Sequence, residues 1–101
     1  MAKPRIIKNE DISSALIAVP EGHRHLRLAL TTKDGETIVL QEATVAAIVR
    51  AYTTVKTHPM MHAVKLVSVR PDHLKEGYAD DQLIELSADD EVVGEITELL
   101  K

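Results

Sequence analysis

Residues 25–40 decide the fold, and their sequence is HLRLALTTKDGETIVL. Leucine occupies every second position before the Asp34-Gly35 dipeptide, and apolar and polar residues alternate again after it. A period of two is typical of a strand, because successive side chains point to opposite faces. Asp-Gly between two such segments indicates a tight hairpin, since glycine adopts the positive φ that a primed turn requires. The stretch therefore predicts a β-hairpin with a buried leucine and isoleucine face, and with His25 and Arg27 on the opposite face.

The segment upstream of this hairpin permits two interpretations. Pro20-Glu21-Gly22 is typical of a turn, with proline setting φ and glycine taking the left-handed position. Such a turn would join a strand at residues 15–19 to the hairpin. Apolar residues between positions 12 and 19 also fit helical spacing, with Asn9 as a cap, so a helix competes here. We favour the strand.

Two amphipathic helices and two further strands are predicted downstream. Apolar stripes at helical spacing define the helices. The stripe of the first comprises Val45, Ile48, Val49, Tyr52 and Val55, and that of the second Val92, Val93, Ile96, Leu99 and Leu100. Pro59 ends the first helix and Ser87 caps the second. Strands are expected at 62–70 and 82–86, separated by a polar loop that contains Gly77.

These elements predict an α+β fold in the order β-β-β-α-β-β-α. We expect a mostly antiparallel sheet of about five strands, with both helices packed on one face. A chain of 101 residues is the size of one domain, so residues 1–101 are taken together, and residues 1–10 are expected to be flexible.

The composition excludes several classes of function. The chain has no cysteine, which removes disulfides, thiolate metal sites and cysteine nucleophiles. Its N-terminus lacks the apolar stretch of a signal peptide, and no apolar run approaches the length of a membrane span, so we expect a cytoplasmic protein and no membrane partner. Only Tyr52 and Tyr78 are aromatic, too few for a single-strand nucleic-acid platform.

Charge is distributed unevenly. Residues 1–75 hold 11 Lys and Arg against 7 Asp and Glu, whereas residues 76–101 hold 1 against 9. The cations in the first part give an alternative function, a weak anion or nucleic-acid binder that uses a basic sheet face. We do not favour nucleic acid as a partner, because the chain is acidic overall and carries no recognised nucleic-acid motif.

Four of the five histidines form two pairs that are candidate metal ligands: His23, His25, His58 and His62. Imidazole nitrogens bind zinc or nickel, and the methionines between the second pair would suit copper(I). No thiolate or carboxylate lies at a recognised ligand spacing, so surface histidines are the simpler interpretation. A metal-binding protein is kept as an alternative, and no cofactor is expected.

No constellation in the sequence indicates catalysis. The four glycines are scattered, which leaves no phosphate-binding loop and no dinucleotide fingerprint, and no serine has the context of a nucleophile elbow. We therefore lean against an enzyme.

The face of the sheet opposite the helices is the expected working surface. The residues selected there are His25, Arg27, Val39, Lys65 and Val67. Its valines are apolar side chains on a face that would otherwise meet water, which favours a surface for a partner or for self-association. The sequence thus predicts a small non-enzymatic binding or regulatory domain that contacts a protein partner or forms a homodimer.

Overall fold

The computed structural model describes residues 3–72, 81–86 and 89–101. A short 3₁₀ turn, Asn9–Asp11, precedes the first strand. The elements are β1 (Ile12–Ala18), β2 (Arg27–Thr32), β3 (Thr37–Gln41), α1 (Glu42–Thr57), β4 (Lys65–Val69), β5 (Gln82–Leu86) and α2 (Asp89–Leu99). The predicted α+β class and the predicted order of elements are confirmed.

The five strands form two antiparallel sheets rather than the single sheet expected. The first sheet has the order β1-β2-β3, and the second pairs β4 with β5. The chain divides into two compact units, Met1–Val45 and Ala46–Lys101, with the boundary inside α1. Each unit therefore contains one sheet. Strand periodicity could not distinguish one sheet from two, because it specifies which residues share a face and not which strands are neighbours.

The hairpin of the first unit is confirmed, with a different turn from the one expected. The Gly35 amide donates to the Thr32 carbonyl at 3.0 Å, and the Thr32 amide donates to the Glu36 carbonyl at 2.9 Å. Gly35 has φ of 94°, while no non-glycine residue in the described part of the chain has a positive φ. A primed turn needs positive φ at its first central residue, so this is instead a turn closed by a glycine bulge.

The segment before the hairpin is a strand, and the helical alternative is wrong. β1 pairs with β2 along its length, apart from an irregularity between Ile12 and Ser14. The predicted turn is present: the His23 amide donates to the Pro20 carbonyl at 3.0 Å, and Gly22 has φ of 79°. The strand is favoured because its register with β2 places Ala15 and Ile17 on the leucine face of the hairpin, a long-range alignment that helical spacing alone does not reveal.

Thr32 anchors the hairpin turn. It is the one fully buried side chain in the described part of the first unit, and its hydroxyl donates to the Asp34 carboxylate. That hydrogen bond lowers the pKa of Asp34, with a smaller contribution from Arg5, which bridges Asp34 and Glu36. Because these carboxylates are exposed, the ion pairs contribute little to stability, and the backbone geometry of the turn matters more.

The buried face of helix α1 is opposite to the one expected. Ala47 is buried at 2% exposure, and Ala51 and Thr54 on the same side are half-buried. The centre of the predicted stripe is exposed instead, with Val49 at 55% and Tyr52 at 65%, although Val45 and Val55 at its ends are half-buried. The prediction that this stripe is buried is therefore wrong over its middle. An apolar stripe shows which face of a helix would gain from burial, but it does not show whether another part of the chain covers that face.

The second unit combines the β4–β5 ladder and the buried Ala63 with exposed polar contacts. The His62 amide donates to the Asp89 carboxylate at 2.8 Å, and the Lys65 ammonium pairs with Glu95 at 3.0 Å. The predicted stripe of α2 is not buried: Val92 is half-buried and the other four residues are exposed. β4 is shorter than predicted, and the predicted cap Ser87 and loop residue Gly77 lie outside the described residues.

Two glycines provide a matched test of this backbone. A Cβ added at Gly35 or at Gly94 would meet open space, so any effect of alanine is conformational. Gly35→Ala should lower the free energy of unfolding by about 1 kcal/mol or more, because φ is positive there. Gly94→Ala lies within α2 and should raise it by about 0.5–1 kcal/mol. Urea denaturation at one fixed protein concentration measures both, and equal shifts of the same sign would contradict the assigned turn.

Candidate functional site

The first sheet carries two faces of different character. Cross-strand partners in an antiparallel sheet project to the same face, so the register fixes the composition of each face. One face consists of two apolar rows, Ile17–Leu28–Leu40 and Ala15–Leu30–Ile38. The composition of this face agrees with the predicted leucine and isoleucine face, but none of these six residues is buried as predicted. Its leucines on β2 and β3 are half-buried, whereas Ile17 and Ile38 are exposed.

The opposite face contains an apolar row between two polar ones. Leu16, Ala29 and Val39 are aligned across the three strands. Leu16 is 66% exposed and Val39 is 60% exposed. The flanking rows are Ser14–Thr31–Thr37 and Ala18–Arg27–Gln41. An apolar strip with a polar border is the arrangement typical of an interface core and its rim.

The predicted site residues of the first unit lie at this face or at its end. Arg27 and Val39 project from it, as expected from their parity with Ala29. The Arg27 guanidinium folds back on the chain and donates to the carbonyls of His25 and Leu26 at 3.2 and 3.1 Å. His25 precedes β2 rather than lying within it. The guanidinium therefore borders the apolar row and does not extend away from the sheet.

Glu42 holds the start of β2. One carboxylate oxygen accepts the Leu26 amide at 2.8 Å, and the other lies 3.5 Å from Nδ1 of His25. The Leu26 amide is the main cause that lowers the pKa of Glu42, with further contributions from His25 and Arg27. Because Glu42 is also the first residue of α1, one side chain connects the entry of β2 to the beginning of the helix.

The other two predicted site residues belong to the second sheet. Lys65 pairs with Leu86 across the strands and Val67 pairs with Ile84, so these four share a face. Ile84 and Leu86 are exposed, which makes this face largely apolar as well. Lys65 is engaged by Glu95 of α2. The five selected residues are thus divided between two sheets, and their action as one surface stays a prediction.

Two residues of these faces, Leu16 and Ile84, and the supporting residue Glu42 are not selected by the sequence pattern. Leu16 lies in the segment for which a strand and a helix both remained open. On the favoured strand, its alternation with Ala15 and Ile17 was the available signal. Ile84 lies in a short strand whose parity was not assigned, and nothing in the sequence marked Glu42, because it acts on a backbone amide sixteen residues away.

The candidate metal ligands lie in both units, and their use as metal sites stays a prediction. Within the described ranges, the histidines and carboxylates include no group of three or more that could hold a metal ion. His23 and His25 lie in the first unit, while His58 and His62 lie in the second. Nδ1 of His58 accepts the Met60 amide at 3.1 Å, which occupies one of its two ring nitrogens.

The cations expected to bind anions are partly neutralised. Lys65 pairs with Glu95, and Arg70 pairs with Asp81 at 3.1 Å. Arg27 donates to backbone carbonyls instead. A phosphate would have to compete with these exposed ion pairs, and the anion-binding alternative stays a prediction.

Compared with models of known protein families, with curated proteins and with solved structures, the chain matches none of them. In the described part of the chain, neither helix has the length and apolar character needed to cross a membrane. The chemistry of the two faces is therefore the basis for inferring function.

The contact between Glu42 and Leu26 predicts a pH-dependent stability. Because folding lowers the pKa of Glu42, its stabilisation is present above the unfolded pKa and disappears as pH falls through the folded value. At pH near 7, Glu42→Ala should lower Tm by a few degrees. Glu42→Gln should have a smaller effect, because its amide oxygen still accepts the Leu26 amide.

Thermal unfolding followed by circular dichroism tests this across pH. The gap between the native chain and Glu42→Ala should narrow below pH of about 4, where carboxylates become protonated. Glu21→Ala is the matched control, since Glu21 is exposed and makes no hydrogen bond or ion pair within the described residues. A gap that stays constant down to strongly acidic pH would show that the Glu42 charge does not support the fold.

Proposed function

We propose that the chain is a small non-enzymatic binding or regulatory domain of the cytoplasm that acts through protein–protein contact. Its partner is a second copy or another protein. The observation that supports this most directly is the balance between buried and exposed apolar residues. Within the described residues, only Ala47 and Ala63 are buried apolar side chains, whereas seventeen large apolar side chains are exposed.

Energetics favour a partner that covers this surface. Ordering the backbone costs about 1–2 kcal/mol per residue. Burial of a large apolar side chain returns about 1.5–3 kcal/mol, but the described residues bury only two alanines fully, and the leucines of β2 and β3 are half-buried. Covering the exposed residues would therefore add to the stability of the fold, and an associated protein surface would supply that cover.

The distribution of the exposed residues also favours contact with protein. They occur on both sheets and both helices, as the row through Leu16 and Val39, the face of Val67 and Ile84, and the exposed sides of α1 and α2. Monomeric proteins rarely expose contiguous apolar patches of more than a few hundred Å². Of the selected site residues, Val39 and Val67 are proposed to contact the partner directly, and His25, Arg27 and Lys65 to form its polar border.

Sedimentation velocity over a wide range of protein concentration tests this proposal, together with binding of a dye that fluoresces on exposed apolar surface. We expect association as concentration rises, with dye fluorescence per chain falling as the apolar faces become covered. A monomer that binds dye at every concentration would support the version with a different protein as partner.

A compact monomer that binds no dye would overturn the proposal. That result would mean that the apolar side chains are covered within a single chain. Metal addition provides a parallel check on the alternative, because stabilisation by zinc in a tag-free preparation would favour the histidine sites over a purely protein-binding role.

A further inference from the structure

We infer that the outer edge of β1 pairs antiparallel with β1 of a second copy, so that two three-stranded sheets join into one six-stranded sheet. This rests on the proposed function and names its partner as the chain itself. β1 is an outer strand of its sheet, and no strand among the described residues pairs with its free edge. An unpaired edge presents a row of backbone donors and acceptors that another strand can satisfy.

The sequence of β1 lacks most devices that protect an outer strand. Residues 12–19 read ISSALIAV, with no charge, no proline and no glycine. Protected edges usually carry lysine or proline, are very short, or are distorted by bulges. β1 has seven residues, and its irregularity is confined to the end near Ile12. Residues 14–18 therefore present a regular, apolar and uncharged edge.

A second copy is the occupant that this strand fits best, because β1 is complementary to itself. Antiparallel pairing about a two-fold axis near Leu16 places small and apolar side chains opposite one another and brings no two charges together within 14–18. The apolar face of Ala15 and Ile17 then continues into the same face of the copy. Leu16 lies closest to the axis on the other face, beside its own equivalent.

The charges at the ends of β1 bear on the orientation of the pairing. Lys8, Glu10 and Asp11 precede the strand, and the turn after it carries Glu21 and Arg24. A parallel pair in register would set Glu10 and Asp11 beside the same acids of the copy, whereas antiparallel pairing brings them towards a turn of mixed charge, which favours the antiparallel orientation.

The other outer strand of this sheet is a poorer candidate. β3 has five residues and lies between Glu36 and Glu42. Antiparallel pairing of two β3 strands about Val39 would set Glu36 of one copy against Glu42 of the other, and like charges facing each other across strands are destabilising. α1 also begins directly after β3, which limits access to that end.

Charge reversal at Leu16 tests this pairing in the full-length chain. Leu16→Lys and Leu16→Glu should each weaken the dimer about a hundredfold, because each loses apolar burial and places like charges beside the axis. An equal mixture of the two should recover dimer, since opposite charges then meet. Met60→Lys is the matched control: Met60 is 77% exposed, lies outside β1, and should leave the dimer unchanged. Sedimentation equilibrium measures each case, and circular dichroism confirms that each variant is folded.

Cysteine cross-linking provides a second measurement that does not depend on a charge variant folding. Because the native chain has no cysteine, a single introduced thiol reports on one position. Ser14, Leu16 and Ala18 lie on the same face. With the two-fold axis near Leu16, Leu16→Cys should form an intermolecular disulfide rapidly under mild oxidation, whereas Ser14→Cys and Ala18→Cys are each too far from their own equivalent and should cross-link slowly. Met60→Cys should cross-link far more slowly than Leu16→Cys.

The outcomes separate this inference from the proposed function. If the native chain dimerises but the Leu16 charge variants dimerise equally well and Leu16→Cys does not cross-link rapidly, β1 pairing is wrong and protein contact through another face stands. Dissociation by Tyr52→Lys alone would lead to the same conclusion and assign the dimer to α1. A native monomer that binds dye at all concentrations overturns the pairing, and a compact monomer without dye binding overturns both.

Discussion

The constraint on which the first unit depends is the pairing of β2 with a neighbour on each side. Cross-strand partners share a face, so the register of β2 determines both the leucine face and the row of Leu16, Ala29 and Val39. A slip of one residue in either ladder would move an apolar set to the opposite side. Polar contacts hold β2 at both ends: Glu42 accepts the Leu26 amide at its start, and Thr32 bonds to the turn at its end. The register therefore rests on local side-chain contacts as well as on the ladder.

Local pattern was sufficient to predict the elements. The period of two around Gly35 identified the hairpin, and helical spacing identified α1 and α2, because these signals arise from backbone geometry within a few residues. The partition into two sheets and the burial of each helix depend on contacts between distant segments, which leave no local mark. Val49 and Tyr52 illustrate the difference. Their spacing correctly indicates an apolar helix face, but spacing cannot show whether a distant segment covers that face, and both side chains are exposed.

For the candidate site too, sequence pattern predicted the local relations between residues and not the contacts between distant segments. Arg27 and Val39 share a face because parity alone decides it, whereas Leu16 joins them only through the β1 register. Lys65 and Val67 were grouped with them on the assumption of one continuous sheet, which the structure replaces with two. The contact of Glu42 with Leu26 spans sixteen residues and involves a backbone amide, so no spacing rule on side chains could have found it.

The proposed function would couple the stability of this chain to its association. Most small domains cover their large apolar side chains internally and reserve a limited patch for recognition. Here the described residues bury two alanines and leave large apolar side chains exposed on both sheets and both helices. If a second protein surface covers these groups, as proposed above, the same apolar side chains contribute to both folding and association. A charge introduced on such a face would then weaken association first, and the uncharged sequence of β1 fits the proposed pairing.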